Sequence, residues 1–229
     1  AAYALAKSHL RTGDADKVRT LFAPYWHDTV LSAPIEREVM ELFAETLARD
    51  DHFARYFNMM VRERIRAAGR VAALAGMAGL HEAWAAVIRR APGAEAAMAD
   101  VPEALLDTEA GLYMRIEHLR RTDRFEQAAD LLEQVPADPA ALTNPGAWWN
   151  ERRIVSRSLR ERGDVARAYA IVARHRGGRP QTQVDAAFHA GWYALRGLDD
   201  PARARPHFEA IQSIAVGPSS RARAAYWLG

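Results

Sequence analysis

The chain has 229 residues, of which 49% are hydrophobic and 26% charged, and its formal net charge is only +2. This is an ordinary globular composition, which excludes a disordered chain. The sequence contains no cysteine, which excludes a disulfide scaffold, thiol catalysis and a cysteine-ligated zinc site. An uncharged run such as Val71 to Leu80 is too short to cross a bilayer, which takes about 20 residues. We therefore expect no transmembrane segment.

Almost all of the positive charge is arginine, because Lys7 and Lys17 are the only lysines. Arginines and acids alternate, as in Arg160-Glu161-Arg162, which is typical of a solvated helix surface. No basic tract or aromatic–basic motif indicates nucleic-acid binding, so no nucleic-acid partner is expected.

The strongest internal signal is a recurring phrase in which one helix ends at a Gly or Asp turn and another begins. The phrase occurs at residues 10–22, 119–132, 159–172 and 195–208, with a looser copy at 47–60. Glycine tolerates the left-handed geometry that closes a helix, and an aspartate oxygen caps the first N–H groups of the next helix. Asp138-Pro139, Asn144-Pro145 and Asp200-Pro201 indicate helix starts with proline at the first position.

The spacing of these phrases predicts the fold. Their first leucines lie 37 residues apart (Leu10 to Leu47), 40 apart (Leu119 to Leu159) and 36 apart (Leu159 to Leu195). Tetratricopeptide (TPR) helix pairs repeat at about 34 residues. No segment alternates at period two, so we predict an all-α fold without a sheet. The predicted architecture is a TPR-like α-superhelix, an α–α solenoid of helical hairpins, forming a single domain over residues 1–229. A plain helical bundle with similar hairpins is the alternative.

Residues with catalytic chemistry do not form a recognisable motif. His81-Glu82 begins like a zinc-protease HExxH helix, but residue 85 is alanine, so the second ligand is missing. Asp50-Asp51 and Asp199-Asp200 lie at predicted turns, where capping explains them better than a glycosidase acid–base pair. We therefore assign no catalytic residue, no metal ligand and no cofactor.

Two sets of residues suggest ligand binding, although each has a simpler explanation. Trp148, Trp149, Trp192 and Trp227 could form a sugar-stacking platform, but tryptophans at helical spacing more often form the core between repeats. The arginines of the helix after residue 145 share one face and could meet an anionic ligand, but a solvated face explains them too; they are Arg153, Arg157 and Arg160. The binding residues stay unassigned at this point.

The block from Trp148 to Gly229 contains five distinctive segments: WWNERR (148–153), RGDVARAY (162–169), DAAFHAGWYAL (185–195), DPARA (200–204) and SSRARAAYWLG (219–229). In these segments the chain resembles the superhelical domain of soluble lytic murein transglycosylases. The stretch Phe188-His189-Ala190-Gly191-Trp192 is the most telling. The first 145 residues fit that domain only as degenerate helix pairs.

The resemblance implies periplasmic peptidoglycan turnover. Members of this family are lyases that cleave the bond between N-acetylmuramic acid and N-acetylglucosamine without water and leave 1,6-anhydro products. Their lysozyme-like catalytic domains carry a Glu-Ser dipeptide and a Gly-Leu-Met-Gln segment, and this sequence contains neither. We therefore expect a fragment cut at both ends, which positions an absent catalytic domain on glycan strands.

Two other functions stay open. One is a stand-alone TPR-like scaffold for a protein partner, and the other is an enzyme that is complete within these residues but has unmatched motifs.

Overall fold

The computed structural model describes residues 2–11 and 15–229, and these residues form fifteen α-helices and no strand. The helices are α1 (Ala2–Arg11), α2 (Ala15–Asp28), α3 (Ala33–Leu42), α4 (Arg49–Val61), α5 (Ile65–Val71), α6 (Ala78–Ile88), α7 (Ala94–Ala99), α8 (Glu103–Leu106), α9 (Glu109–Arg121), α10 (Phe125–Leu132), α11 (Pro145–Glu161), α12 (Val165–Ala173), α13 (Pro180–Trp192), α14 (Pro201–Ile214) and α15 (Pro218–Leu228). A 3₁₀ turn occupies Pro139–Ala141, and a π-helical turn at Tyr193–Gly197 continues α13. The all-α prediction is confirmed.

The chain folds into two compact units, Ala1–Gly111 and Leu112–Gly229, which we call unit 1 and unit 2. In unit 1, α1 packs on α2, α2 on α4, α4 on α5, and α6 on both α5 and α7. In unit 2, each of the helices α11 to α14 packs on the next helix, and α11 also contacts α13. The single domain expected over residues 1–229 stays a prediction.

The helix caps predicted after α11 and before α14 form as expected, with Asp199 rather than Gly197 as the left-handed residue of the second turn (φ +53°). Gly163 adopts a left-handed φ of +91°, and the Asp164 side chain accepts a hydrogen bond from the Arg167 N–H at 3.2 Å. Before α14, the Asp200 side chain accepts from the Arg203 N–H at 2.8 Å. Asp138 and Asn144 likewise cap the 3₁₀ turn and α11.

In two other predicted turns, the next helix begins at a different residue than the sequence suggested. In the turn after α9, Asp123 does not cap the next helix but takes the left-handed conformation itself, with φ +58°, and Arg124 is the N-cap of α10. Asp50 and Asp51 lie inside the first turn of α4, which begins earlier than the sequence suggested. The predicted turn at Thr12-Gly13-Asp14 lies outside the described residues.

Close packing in unit 2 depends on one glycine that the sequence singled out. A Cβ on Gly191 would lie 2.8 Å from two ring atoms of Phe208, so only glycine lets α13 approach α14 this closely. Phe208 is 1% exposed and belongs to a buried cluster with Val184, Ala204 and Ile211. Gly191 therefore permits the close approach of α13 and α14.

Unit 1 is organised around a buried carboxylate. Glu36 of α3 is fully buried and accepts a hydrogen bond from the Arg55 Nε of α4 at 2.8 Å, while Arg70 of α5 pairs with its other oxygen. The Arg55 guanidinium lies 4.0 Å from the Trp26 ring centroid and also donates to main-chain carbonyls of the α2 end. The buried pair of Glu36 and Arg55, together with Arg70, thus links α3, α4 and α5 to the end of α2.

The left-handed turn at Gly163 has a direct test. Replacing Gly163 with valine should lower the free energy of unfolding by on the order of 1 kcal/mol or more, because a β-branched residue disfavours positive φ. Gly163→Asn is the matched control, since a Cβ at Gly163 would have no neighbouring atom within 4 Å and asparagine tolerates positive φ better than valine. Urea unfolding of both variants measures the difference, and equal losses would contradict a conformational role for Gly163.

Candidate ligand-binding groove

Helix α11 has a buried face and an arginine face. The buried residues recur at helical spacing: Trp148, Glu151, Arg152, Val155 and Leu159. Arg153, Arg157 and Arg160 are spaced about one turn apart on the other side. All three line one groove, so they share a face as the sequence indicated.

The groove in unit 2 consists of two neighbouring cavities of about 460 Å³ each, and we call it the arginine–aromatic groove. The first cavity is lined by Phe125, Arg153, Ile154, Arg157, Ser158, Glu161 and His189. The second is lined by Arg157, Arg160, Phe188, His189, Trp192, Tyr193, Arg223 and Trp227. Arg157 and His189 line both cavities. The groove is therefore formed chiefly by α11 and α13, with α10 contributing at one end and α15 at the other.

At the α15 end, aromatic rings hold two arginines. The Arg160 guanidinium carbon lies 5.1 Å from the Trp192 ring centroid and 5.9 Å from that of Tyr193. The Arg223 guanidinium carbon lies 3.5 Å from the Phe188 ring centroid. Such cation–π contacts are electrostatically favourable within about 6 Å.

At the α10 end, each arginine has an acidic neighbour. Arg157 pairs with Glu161 at 2.9 Å, and Arg153 lies 3.9 Å from Asp185. The Asp185 carboxylate also accepts a hydrogen bond from the Trp149 indole N–H at 2.8 Å. His189 is oriented by the same residue, because its Nδ1 lies 2.8 Å from the Asp185 main-chain carbonyl and must donate to it. Nε2 is therefore the ring nitrogen of His189 that is left for a ligand.

A buried carboxylate fixes α11 against α9. Glu151 is 1% exposed and accepts hydrogen bonds from Arg120 Nε at 2.5 Å and Nη2 at 3.0 Å. The Tyr113 hydroxyl donates to the same carboxylate at 3.4 Å. Burial raises the pKa of Glu151, and the hydrogen bond and charge of Arg120 oppose that rise. Arg120 is therefore the main group that offsets the cost of burying this carboxylate.

A second charge on the buried face of α11, Arg152, has no acidic partner within salt-bridge distance in the described part of the chain. It is 1% exposed, and its guanidinium lies 3.5 Å from His175 Nδ1 and 3.5 Å from the Pro136 carbonyl. Burial lowers the pKa of Arg152 to about 10. Burial, with the nearby Arg152 charge, lowers the pKa of His175 to about 4. His175 is consequently neutral at neutral pH.

The four tryptophans considered for a sugar-stacking platform lie in two different environments. Trp148 is fully buried against Tyr113, and Trp149 is 6% exposed, so both belong to the core. Trp192 and Trp227 are half-buried and line the groove. The four side chains do not form one platform.

The remaining candidates have structural roles. The His81 ring packs edge-on to Tyr56. Asp51 accepts a hydrogen bond from the Ala48 N–H at 2.9 Å and pairs with Arg19 and His27. It therefore stabilises the first turn of α4.

Sequence reasoning did not identify Arg223, Phe188 and His189 as groove residues. A signal was available within each helix, since Phe188 and Trp192 on α13 and Arg223 and Trp227 on α15 are pairs at i and i+4. Which helices meet was not readable from that spacing.

Among the described residues, no cluster of three or more His, Asp or Glu side chains has the arrangement of a metal site. In the same part of the chain, no helix combines the length and apolarity needed to cross a membrane.

The Glu151–Arg120 pair predicts a large effect of one substitution. Glu151→Ala should lower the free energy of unfolding by about 3 kcal/mol, because it leaves Arg120 part-buried without its closest carboxylate. Glu161→Ala is the control, since Glu161 forms an exposed pair with Arg157 on the same helix and should cost less than about 1 kcal/mol. Urea unfolding measures both, and a comparably small loss at Glu151 would refute its role.

The pKa of His175 predicts acid sensitivity. Its pKa in the folded protein, about 4, lies below its ordinary value of 6.5. The unfolded chain therefore takes up the proton first, so the stability contributed by neutral His175 is complete above about pH 6.5 and is lost as the pH falls towards 4. His175→Gln should flatten the stability–pH curve in this window, although His52, His81 and His207 with lowered pKa values retain part of the slope. Unfolding at pH 4.5 to 7.5 provides the measurement, and an unchanged slope would contradict the assignment.

The chain matches no protein-family model, and no curated protein or solved structure matches it.

Proposed function

We propose that this chain is a non-catalytic, TPR-like superhelical module of a periplasmic soluble lytic transglycosylase, a peptidoglycan lyase. In this proposal the module binds peptidoglycan and so positions a catalytic domain, carried elsewhere in the parent enzyme, on the glycan strand. The sequence resemblance from Trp148 to Gly229 motivates the family, and the groove in unit 2 supports the binding role.

Contacts at a repeat-like spacing support the TPR-like part of the proposal. In unit 2, Trp149 binds Asp185 over 36 residues, Arg162 binds Glu126 over 36 residues, and the Tyr169 hydroxyl meets His207 over 38 residues. In unit 1, Arg62 binds Asp28 over 34 residues. These separations agree with the 36 to 40 residues between the leucine-led phrases and with helix-pair repeats of about 34 residues.

The single observation that carries the function is the arginine–aromatic groove. It is open to solvent and lined by several arginines and aromatic rings, and all its lining residues except Phe125 lie in the segment that resembles the family. A concave site with apolar walls and a few convergent polar groups is the usual form of a ligand site.

Sedimentation with purified peptidoglycan sacculi tests this function. The unaltered chain should co-sediment, and Arg157→Glu with Arg160→Glu should reduce the bound fraction by about tenfold or more, because charge-assisted contacts would become repulsive. Arg196→Glu with Arg205→Glu is the charge-matched control, since both arginines are exposed and neither lines the groove.

Two results would count against the proposal: no sedimentation of the unaltered chain, or the same loss in both double variants. The second candidate function is a TPR-like scaffold for a protein partner, which the open groove between helices also suits. A pull-down that recovers one stoichiometric protein, with no binding to sacculi, would favour the scaffold.

A further inference from the structure

We infer that the arginine–aromatic groove binds a short peptide through a carboxylate, which Arg160 and Arg223 hold at the α15 end. This binding mode rests on the groove being a ligand site, as proposed above, but it does not depend on the family resemblance. A peptide carboxylate supplies the counter-ion that these two arginines lack within the described residues.

Arg160 and Arg223 stand apart from the other groove arginines. Arg153 and Arg157 have Asp185 and Glu161 as neighbours. Within the described part of the chain, no carboxylate oxygen lies within 4 Å of Arg160 or Arg223, and the cavity they line contains no acidic residue. In addition, the Arg160 Nε is buried and makes no hydrogen bond. Two guanidinium groups that lack a counter-ion thus line one cavity.

The aromatic rings beside these arginines hold guanidinium groups on one face. One face of Trp192 is occupied by Arg160, and one face of Phe188 by Arg223. Trp227 stacks on Phe208, with centroids 6.1 Å apart and planes at 14°. A guanidinium fixed over a ring keeps its planar edge free for the two parallel hydrogen bonds that a carboxylate accepts. The geometry therefore favours carboxylate recognition over sugar stacking.

The α10 end of the groove favours a peptide over a polyanion. Glu161 and Asp185 place negative charge beside Arg157 and Arg153, which would repel a second anionic group but can accept backbone N–H groups. The His189 Nε2 is left to form a hydrogen bond with a peptide, since its Nδ1 already donates to the Asp185 carbonyl. Ile154 and Phe125 provide apolar wall for a side chain. A peptide with one carboxylate end and neutral backbone matches this distribution of charge.

Isothermal titration of the full chain with defined probes tests this binding mode. The probes are a blocked tripeptide Ala-Leu-Glu, its Gln counterpart, a neutral N-acetylglucosamine tetramer and inorganic phosphate. The glutamate peptide should bind, and the glutamine peptide should bind about tenfold or more weakly, which is the loss of one charge-assisted contact. The affinity of the glutamate peptide should also fall as salt is raised, because part of the site is open to solvent.

Substitutions then locate the site. Arg160→Gln and Arg223→Gln should each weaken binding of the glutamate peptide by about tenfold. Arg205→Gln should leave binding unchanged, because the Arg205 side chain of α14 is exposed and lies outside the groove. Circular dichroism checks that each variant folds. If a groove variant fails to fold, the comparison of the two peptides on the unaltered chain still decides.

The outcomes separate this inference from the proposed function. Equal binding of the two peptides, absence of peptide binding, or equally tight binding of the sugar tetramer or phosphate would each overturn the peptide–carboxylate mode. Binding of the glutamate peptide without any binding to sacculi would support that mode and refute the peptidoglycan function. Binding to sacculi with no preference for the glutamate peptide would support the peptidoglycan function and refute the peptide–carboxylate mode.

Discussion

The rotational setting of α11 is the constraint on which the groove depends, and a buried carboxylate fixes it. Glu151 is held by Arg120 from α9, and a buried carboxylate that loses its partner is strongly unfavourable. Turning α11 about its axis would break this pair and expose the Trp148 side of the helix. Because Glu151 faces inward, the helical period turns Arg153, Arg157 and Arg160 towards the groove. The ligand site is thus a consequence of an interaction on the opposite face.

A second feature of the groove is that aromatic rings hold its arginine side chains in place. A free arginine side chain loses considerable rotamer entropy when it binds a ligand. Arg160 against Trp192 and Arg223 against Phe188 have lost part of that freedom in the folded protein already. Side chains that are ordered before binding lose less entropy when the ligand binds, so each hydrogen bond to the ligand contributes more to affinity. Phe188 is supported in turn by Phe208, and Gly191 permits that helix approach.

Much of the fold could be predicted from local signals, because caps and turns are encoded by neighbouring residues. Asp164 and Asp200 cap their helices as expected. Asp123 did not, because it takes the left-handed position itself, as Asp199 does in a turn that contains Gly197. Asp tolerates this conformation better than most residues. The local sequence does not distinguish an aspartate that caps a helix from one that takes the left-handed conformation.

The groove could be predicted only in part. The arginine face of α11 follows from period alone, but its aromatic and cationic partners on α13 and α15 come from distant sequence. Periodicity assigns a side chain to a face of its own helix and says nothing about which helix it meets. For that reason Trp148 and Trp192, similar in sequence context, have different environments, one in the core and one beside a guanidinium.

The distribution of arginine explains how a nearly neutral protein can present a positive groove. Alternating charges in the sequence indicated a solvated surface, yet Arg55 and Arg152 are almost completely buried. Helix α11 contains four arginines and two glutamates, so it carries a net charge of +2, and the whole chain carries +2 as well. The rest of the chain therefore sums to zero. Helix α15, with Arg221, Arg223 and no acidic residue, also carries +2, so two of the helices that form the groove are positively charged. The apolar walls of the groove strengthen its attraction for an anionic group.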